Sequence, residues 1–370
     1  MPLNYLKKSN IFFHKPLSIF LPSIMSGFHI DRPKFVDIEL SNRCNLWCRM
    51  CWFWGEYGIG ERYQDRELTK EEVFNLIDGI SKYKPLIYLG GSEPFIRDDF
   101  LEILKYIKEQ GLRVSFATNG TLLDDKKIRR LVEIGVDKIS FSIDGYEEIH
   151  DSIRGKGTFK KVTETINKIS LYKTEVASLK PIISTRTTIT NVLVGNLKES
   201  IESIKRATNQ ETIIHEIEHL WFITQEELHA HMYILRRVLG CRAPDTISHF
   251  TPESFIADPV SLAHEISSVK KMPNVLFFPN LSYKQIIDYY SENKPITKMC
   301  RASFKGVIIK PNGDVKFCPD EWISDYTLGN IRDEKLMDIW NGQKALKFRS
   351  AILKHKSYPA CKRCSSMYGL

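Results

Sequence analysis

From residue 34 to residue 222 the chain alternates short runs of β-branched and apolar residues with longer stretches whose apolar positions recur at helical spacing. That alternation predicts repeated βα units around a parallel sheet. Six strands are expected, at Phe35–Leu40, Pro85–Leu89, Arg113–Ala117, Lys138–Ile143, Ile182–Ile189 and Thr212–Leu220. The helices between them carry their own punctuation: Thr69 with Glu72 makes a capping box, and Gly111 and Gly135 stand where helices end in the left-handed region. Six units predict an α/β fold, a partial (βα)6 TIM-like barrel, in which chemistry belongs in the loops at the C-terminal strand ends.

Beyond the sixth strand the pattern changes. Helical periods at Gln225–Leu239 and Pro259–Lys271 predict a helical linker. Farther on, Val307–Lys310 and Val315–Phe317 flank Pro311-Asn312-Gly313-Asp314, and Asn-Gly between two apolar runs signals a hairpin. The expected organisation is an N-terminal arm at 1–33, the (βα)6 core at 34–224, a helical linker or insertion at 225–298 and a small hairpin-plus-helix module at 299–370.

Composition adds little: 370 residues, 42% hydrophobic and 26% charged, describe an ordinary globular chain of about two domains. The net charge of +8 is spread along amphipathic segments rather than gathered in one tract, so it reads as solvated helix faces and not as a nucleic-acid surface. The apolar stretch Leu17 to Phe28 is interrupted by Pro22 and falls short of the roughly 20 residues that span a bilayer. No transmembrane segment is expected; an arm lying on a membrane surface is the alternative that stretch leaves open.

The cysteines carry the chemistry. Of eight, seven fall in tight or module-like spacings, which reads as metal ligation in a reducing, cytoplasmic setting rather than as disulfides. Cys44, Cys48 and Cys51 follow the first strand directly, and no fourth His or Cys lies close by, as a structural zinc site would want. Three thiolates on a cubane cluster leave one iron free to chelate a molecule that offers both an amine and a carboxylate. Near the chain end Cys300 precedes the hairpin, Cys318 closes it, and Cys361 and Cys364 form a final pair; four thiolates suit a zinc ribbon or a four-iron cluster alike.

The C-x3-C-x2-C loop at the first strand end resembles the signature of the radical S-adenosylmethionine (SAM) superfamily, and the likeness continues around the barrel. Gly91-Ser92-Glu93-Pro94 after the second strand is similar to that family's Gly-Gly-Glu-Pro loop, which holds the methionyl amino group, with Ser92 in place of the second glycine. Met50 stands where an aromatic residue usually flanks the adenine. The third strand ends in Ala117-Thr118-Asn119-Gly120 and the fourth in Ser142-Ile143-Asp144-Gly145, followed by Arg154-Gly155; these resemble the branch in which serine and arginine approach SAM's polar groups. The segment from Cys300 to Cys364, with Leu328-Gly329-Asn330-Ile331 and Ile339-Trp340 inside it, resembles SPASM/Twitch modules, and its four cysteines imply one auxiliary [4Fe–4S] cluster. The resemblance implies a [4Fe–4S] cluster with SAM, Met50, Gly91, Ser92, Glu93, Asn119, Ser142, Asp144 and Arg154 as SAM contacts, a flavodoxin- or ferredoxin-type electron donor, and abstraction of a substrate hydrogen by a 5′-deoxyadenosyl radical.

For the substrate itself, the resemblance implies oxidative modification of a peptide or protein side chain, with dehydrogenation or epimerisation of a sugar, an aminoglycoside-like or a lipid-linked molecule as the alternative. A rival of another class is a non-catalytic metal or cluster protein that binds a partner through its charge. The GSEP and SIDG loops weigh against it, since a scaffold needs no methionine-shaped site beside an open iron. Period-two alternation puts His215 and His219 on one face of the sixth strand; if that face lines the barrel they are candidates for substrate binding or proton transfer. Asp320 follows Cys318 closely and is a candidate base, a solvated turn being an equal alternative. Cys241, outside both cysteine sets, is either a small buried residue or, as in radical SAM epimerases, a hydrogen-atom donor.

Overall fold

The computed structural model describes residues 30–51, 66–209, 213–243, 258–291, 298–318 and 324–367. The N-terminal arm up to residue 29 and Asp320 lie outside the described residues. The six expected strands form: β1 (Phe35–Glu39), β2 (Leu86–Gly90), β3 (Arg113–Thr118), β4 (Lys138–Ser142), β5 (Ile182–Thr188) and β6 (Ile214–Glu218). Each pairs in parallel with the next in chain order.

Four further strands extend this sheet, two of them those of the expected hairpin. Within the expected helical linker, β7 (Val275–Phe278) lies between its helices and pairs in parallel with β6. Four residues are too short a run to announce a strand by periodicity. At the other edge, β8 (Gly306–Ile309), the first hairpin strand, runs parallel to β1, and β9 (Asp314–Lys316) and β10 (Gly329–Asn330) follow it antiparallel. The order β10-β9-β8-β1-β2-β3-β4-β5-β6-β7 is therefore one open sheet, in which β1 and β6 stay apart and the C-terminal module continues the barrel. Gly306 makes the junction: a Cβ there would meet the Phe35 carbonyl oxygen at 2.6 Å.

The helices α1 (Lys70–Ser81), α2 (Phe100–Glu109), α3 (Asp125–Ile134), α4 (Glu147–Arg154), α5 (Thr158–Glu175) and α6 (Leu197–Thr208) alternate with the strands. They are followed by α7 (Gln225–Val238), α8 (Pro259–Val269), α9 (Tyr283–Tyr290), α10 (Leu336–Asn341) and α11 (Gln343–His355). The Thr69–Glu72 capping box starts α1, and Gly135 closes α3 at φ 71°. Val36, Ile38, Ile87, Leu89, Val114, Phe116, Ile139 and Phe141 share one buried apolar cluster with α1, α2, α3 and α5. With a side-chain period of two, the alternate positions Asp37, Tyr88, Lys138, Ser140, Ser184, Arg186, Glu216 and Glu218 face the barrel interior. The interior is thus polar and the outer face apolar, which leaves the site chemistry to the strand ends and the inner wall.

Candidate active site

The loop after β1 holds Cys44, Cys48 and Cys51 beneath the neighbouring strand ends. Its backbone is tied to α4 by the Arg49 amide, which donates to the Ile153 carbonyl at 3.2 Å, and the Cys51 amide donates to the Cys48 carbonyl at 3.0 Å. Burial pushes the Cys44 thiol up to about 12, with Glu93, Cys48 and Cys51 adding to the cost of a charge there. Burial likewise raises Cys48 to about 11, opposed by Arg154. The Cys44 and Cys48 sulfurs, expensive to ionise alone, are what a cationic iron centre relieves on binding. Donors already point at them: Asn119 Nδ2 lies 3.8 Å from Cys44 Sγ, Arg154 NH1 lies 3.8 Å from Cys48 Sγ, and the Leu46 amide donates to Cys44 Sγ at 3.4 Å. The donor set fits an iron–sulfur cluster whose cysteine sulfurs accept N–H hydrogen bonds.

The loop after β2 lies against the same segment. Gly91 takes φ 96°, and a Cβ on it would meet the Ser41 carbonyl oxygen at 2.3 Å, so only glycine brings these two loops together. Ser92 donates through its amide to Ser41 O at 2.9 Å and through its hydroxyl to Asn42 O at 2.8 Å, so the serine braces the cysteine loop from the second-glycine position. Glu93 is 1% exposed, and its carboxylate accepts from Thr118 Oγ1 (2.8 Å), the Asn119 amide (2.8 Å) and the Phe95 amide (3.2 Å). Burial nevertheless pushes its pKa up to about 7. An ammonium group brought against this carboxylate would offset that desolvation.

On the fourth strand end, Asp144 is fully buried and holds Arg154 Nε at 2.6 Å, while its other oxygen accepts from the Thr188 amide at 2.9 Å. Burial works against the Arg154 charge, but Asp144 and Cys48 keep its pKa above the ordinary guanidinium value. His150 Nδ1 accepts from the Asp144 amide at 3.1 Å, and burial drops His150 to about 4, so it stays a neutral prop. Ser142 ends β4 in register with Arg186, half-buried on the inner wall. Met50 packs against the apolar cluster that contains Ile149 and Ile153.

The four C-terminal cysteines also converge. Cys361 sits in a 3₁₀ turn, and burial raises its thiol well above the usual value, with Cys300, Cys318 and Cys364 adding to the shift. Cys300 is anchored by its amide to Lys356 O at 2.8 Å, and the Cys364 amide donates to Cys361 O at 3.1 Å. The turn is held to α7 by Arg363, whose NH1 lies 2.7 Å from Glu227 Oε2, and by Lys362 at 2.8 Å from the same carboxylate. Among the described residues, no three His, Cys, Asp or Glu side chains are arranged to clasp a single ion.

Residues 38–212 match the model of the radical SAM superfamily, and residues 300–365 match that of SPASM, an iron–sulfur cluster-binding domain. The chain carries a radical SAM domain followed by an iron–sulfur cluster-binding domain. It is an enzyme that uses a [4Fe–4S] cluster with SAM and carries an auxiliary cluster in its C-terminal module. This radical SAM enzyme is 26% identical, over 90% of its length and 87% of the other's, to the tungsten-containing aldehyde ferredoxin oxidoreductase cofactor-modifying protein of Pyrococcus furiosus. It is 29% identical to the mycofactocin maturase of Mycolicibacterium smegmatis over 40% of this chain and 38% of that one. Its fold matches the crystal structure of Streptococcus suis SuiB at a TM-score of 0.61, with 14% identity, over 91% of this chain and 73% of that one.

The remaining candidates fall in other places. His215 and His219 are on the outer side of β6, opposite Glu216 and Glu218, so the condition that would have made them barrel residues is not met. His215 Nδ1 pairs with Thr185 Oγ1 at 2.9 Å, and His219 Nδ1 with Tyr290 OH at 2.9 Å, inside the helix-covered core. Cys241 follows α7, and its Sγ lies 3.7 Å from Ser324 Oγ, next to the C-terminal module. Apart from Ser142, the residues found on the inner wall were not singled out by sequence reasoning. Glu216 pairs with Lys138 and accepts from Ser140 (3.3 Å) and Ser184 (3.2 Å). Arg186 reaches across to Tyr88 OH at 3.4 Å and pairs with Glu218 at 3.3 Å. The signal was partial: Ser184, Arg186 and Thr188, and Glu216 and Glu218, alternate as polar stripes, but Thr185, Thr187 and His215 make the opposite faces polar as well.

Proposed function

We propose that this radical SAM enzyme modifies a peptide or protein side chain oxidatively, removing a hydrogen atom, then an electron to the auxiliary cluster and a proton to solvent. The observation that carries this reading is the match of residues 300–365, with Cys300, Cys318, Cys361 and Cys364, to an iron–sulfur cluster-binding domain. Four protein ligands leave no iron for substrate, so the module's role in chemistry is electron transfer. The name of the mycofactocin maturase, a partial relative, supports a peptide as substrate.

In this reading Cys44, Cys48 and Cys51 hold the cluster with one iron open to SAM. When bound, the cluster and SAM supply a 5′-deoxyadenosyl radical. Glu93 would accept from the N–H of the methionyl amino group, Gly91 and Ser92 would shape the loop around it, and Asn119, Ser142, Asp144 and Arg154 would orient the polar groups of SAM. Met50 packs against the adenine. Arg186 and Glu218, 31% and 38% exposed at the side chain, offer an ionic floor on which a polar substrate group rests. The division into arm, core, linker and auxiliary module, an acidic electron-donor protein of the flavodoxin or ferredoxin type, and a cytoplasmic setting belong to the same proposal. No helix among the described residues is long and apolar enough to cross a membrane.

A second reading, dehydrogenation or epimerisation of a small molecule, is favoured by the relative that spans most of the chain, which is named a cofactor-modifying protein. The test is anaerobic incubation of the reconstituted enzyme with SAM, dithionite and a candidate precursor peptide, sought among the short open reading frames beside its gene, in deuterated water, read by mass spectrometry. Loss of two hydrogens from the peptide supports oxidation. Gain of one deuterium, abolished by Cys241→Ala while deoxyadenosine still forms, would replace it with epimerisation and make Cys241 the donor. An unchanged peptide, with turnover of a small molecule in its place, selects the second reading.

A further inference from the structure

Tyr358 stands three residues before Cys361, and the Cys361 amide donates to its carbonyl at 2.9 Å. Its side chain is 1% exposed, and the ring is wedged edge-on against Phe348 at 5.8 Å and His231 at 6.2 Å. Phe348 in turn packs on Phe317 at 5.4 Å, the residue before Cys318, so the tyrosine is fixed between the two arms of the cysteine set. Burial pushes the phenol's pKa up, with Cys318 and Cys361, then Cys241 and Tyr326, adding to the cost of a charge there. Yet the hydroxyl has no hydrogen-bond partner among the described residues. A buried tyrosine hydroxyl ordinarily finds a partner, because leaving it unpaired forfeits its bond to water. The packing asks only for a phenylalanine here. The oxygen must therefore serve something that the protein atoms do not supply, and what belongs between these cysteines is sulfur-rich and anionic.

We propose that Tyr358 donates a hydrogen bond from its phenol to a sulfur of the auxiliary cluster, either a cysteine sulfur or a bridging sulfide, and thereby raises that cluster's reduction potential. The direction follows from charge. Reduction adds an electron to the cluster, a donated hydrogen bond favours the more negative state, and hydrogen bonds to sulfur are among the established determinants of cluster potential. Tyr358 is a positioning and tuning residue in this scheme, acting on the acceptor and not on substrate. The inference rests on the four cysteines holding an iron–sulfur cluster, and it does not depend on which substrate the enzyme takes.

The experiment uses the full chain in which Cys44, Cys48 and Cys51 are replaced by alanine, so that the auxiliary cluster alone gives the signal, with and without Tyr358→Phe. Metal analysis comes first, then a redox titration followed by electron paramagnetic resonance. With equal iron content in both proteins, Tyr358→Phe should lower the ratio of reduced to oxidised cluster at a fixed potential about fivefold, equivalent to a negative shift of about 40 mV for a one-electron couple. A second measurement does not rely on the variant's stability. In the tyrosine-bearing protein, resonance Raman Fe–S stretching bands should shift after exchange into deuterated water, by more than any shift left in the phenylalanine protein. An unchanged potential with equal iron, or identical deuterium shifts in both proteins, overturns the role of Tyr358. Zinc in place of iron overturns the cluster reading beneath it, and the proposal with it.

Discussion

A single buried carboxylate, Glu93, governs how the methionine end of SAM would be held, and its surroundings make that grip depend on pH. Burial lifts its pKa from 4.5 to about 7, while Asn119, Thr118 and Phe95 donate to the charged form and limit the rise. The sign follows directly: the ionised fraction grows as pH climbs through about 7, and the ionised form is the better acceptor for the N–H groups of SAM's amine. SAM affinity of the reconstituted enzyme, measured by calorimetric titration, should therefore increase between about pH 6 and pH 8. Glu93→Gln should bind about tenfold more weakly or worse, since a hydrogen bond to a charged group contributes ~1.5–3 kcal/mol, and should lose the pH dependence. Wild-type affinity in the variant would mean that the GSEP loop does not receive the amine. At Ser92 and Met50, where the family pattern is broken, the structure supplies local reasons. The Ser92 hydroxyl reaches Asn42 O at 2.8 Å, and Met50 adapts to an apolar shelf beside Ile153.

Strand β6 marks where sequence reasoning reached its limit at the scale of an element. Its existence was legible from Ile213, Ile214 and Ile217, but alternation assigns residues to two faces without saying which face is inside, and β6 is polar on both. The partners decide it: Glu216 meets Lys138, Ser140 and Ser184 on β4 and β5, whereas Ile217 is buried with Leu197 and Ile201 of α6 and Leu262 of α8. The two faces should respond to mutation differently. Glu216→Gln leaves the buried Lys138 ammonium poorly compensated and should cost about 3–5 kcal/mol in denaturant unfolding. On the outer face, burial lowers His215 to about 4 and His219 to about 3, aided by Lys205 and Lys270 respectively. An unfolded histidine takes a proton near 6.5. The stability from burying these rings neutral is thus fully present above about pH 6.5 and is lost as pH falls from there towards 4, at about 1.4 kcal/mol per pH unit for each. His219→Phe should flatten that acid-side decline and leave substrate-free deoxyadenosine release at neutral pH unchanged. A collapse of that release would return His219 to the active site.

At the scale of the whole molecule, the two modules that the cysteines delimit share one sheet and one core, which the sequence pattern did not convey. The hairpin at Asn312-Gly313 was legible because its turn chemistry is local. Its docking on β1 was not, because pairing between Phe35 and Gly306 spans most of the chain and has no local signature. Three further contacts seal the junction. Glu39 at the end of β1 is ion-paired with the fully buried Lys310, Trp340 Nε1 donates to Ile30 O at 2.7 Å, and Trp221 Nε1 donates to Ala360 O at 3.2 Å. The metal sites are nevertheless built from separate cysteine sets, each with its own backbone anchors. Cluster loading and folding should therefore come apart. Anaerobically reconstituted enzyme should hold about eight irons, and the variant with alanine at Cys44, Cys48 and Cys51 about four, because each site is expected to assemble a four-iron cluster independently. Deleting residues 299–370, by contrast, strips β8 from β1, leaves Glu39 without Lys310 and exposes a sheet edge. That truncated chain should aggregate on expression rather than yield a soluble (βα)6 core. A soluble, SAM-binding fragment with about four irons would show that the C-terminal module is an appendage and that the continuous sheet does not hold the barrel together.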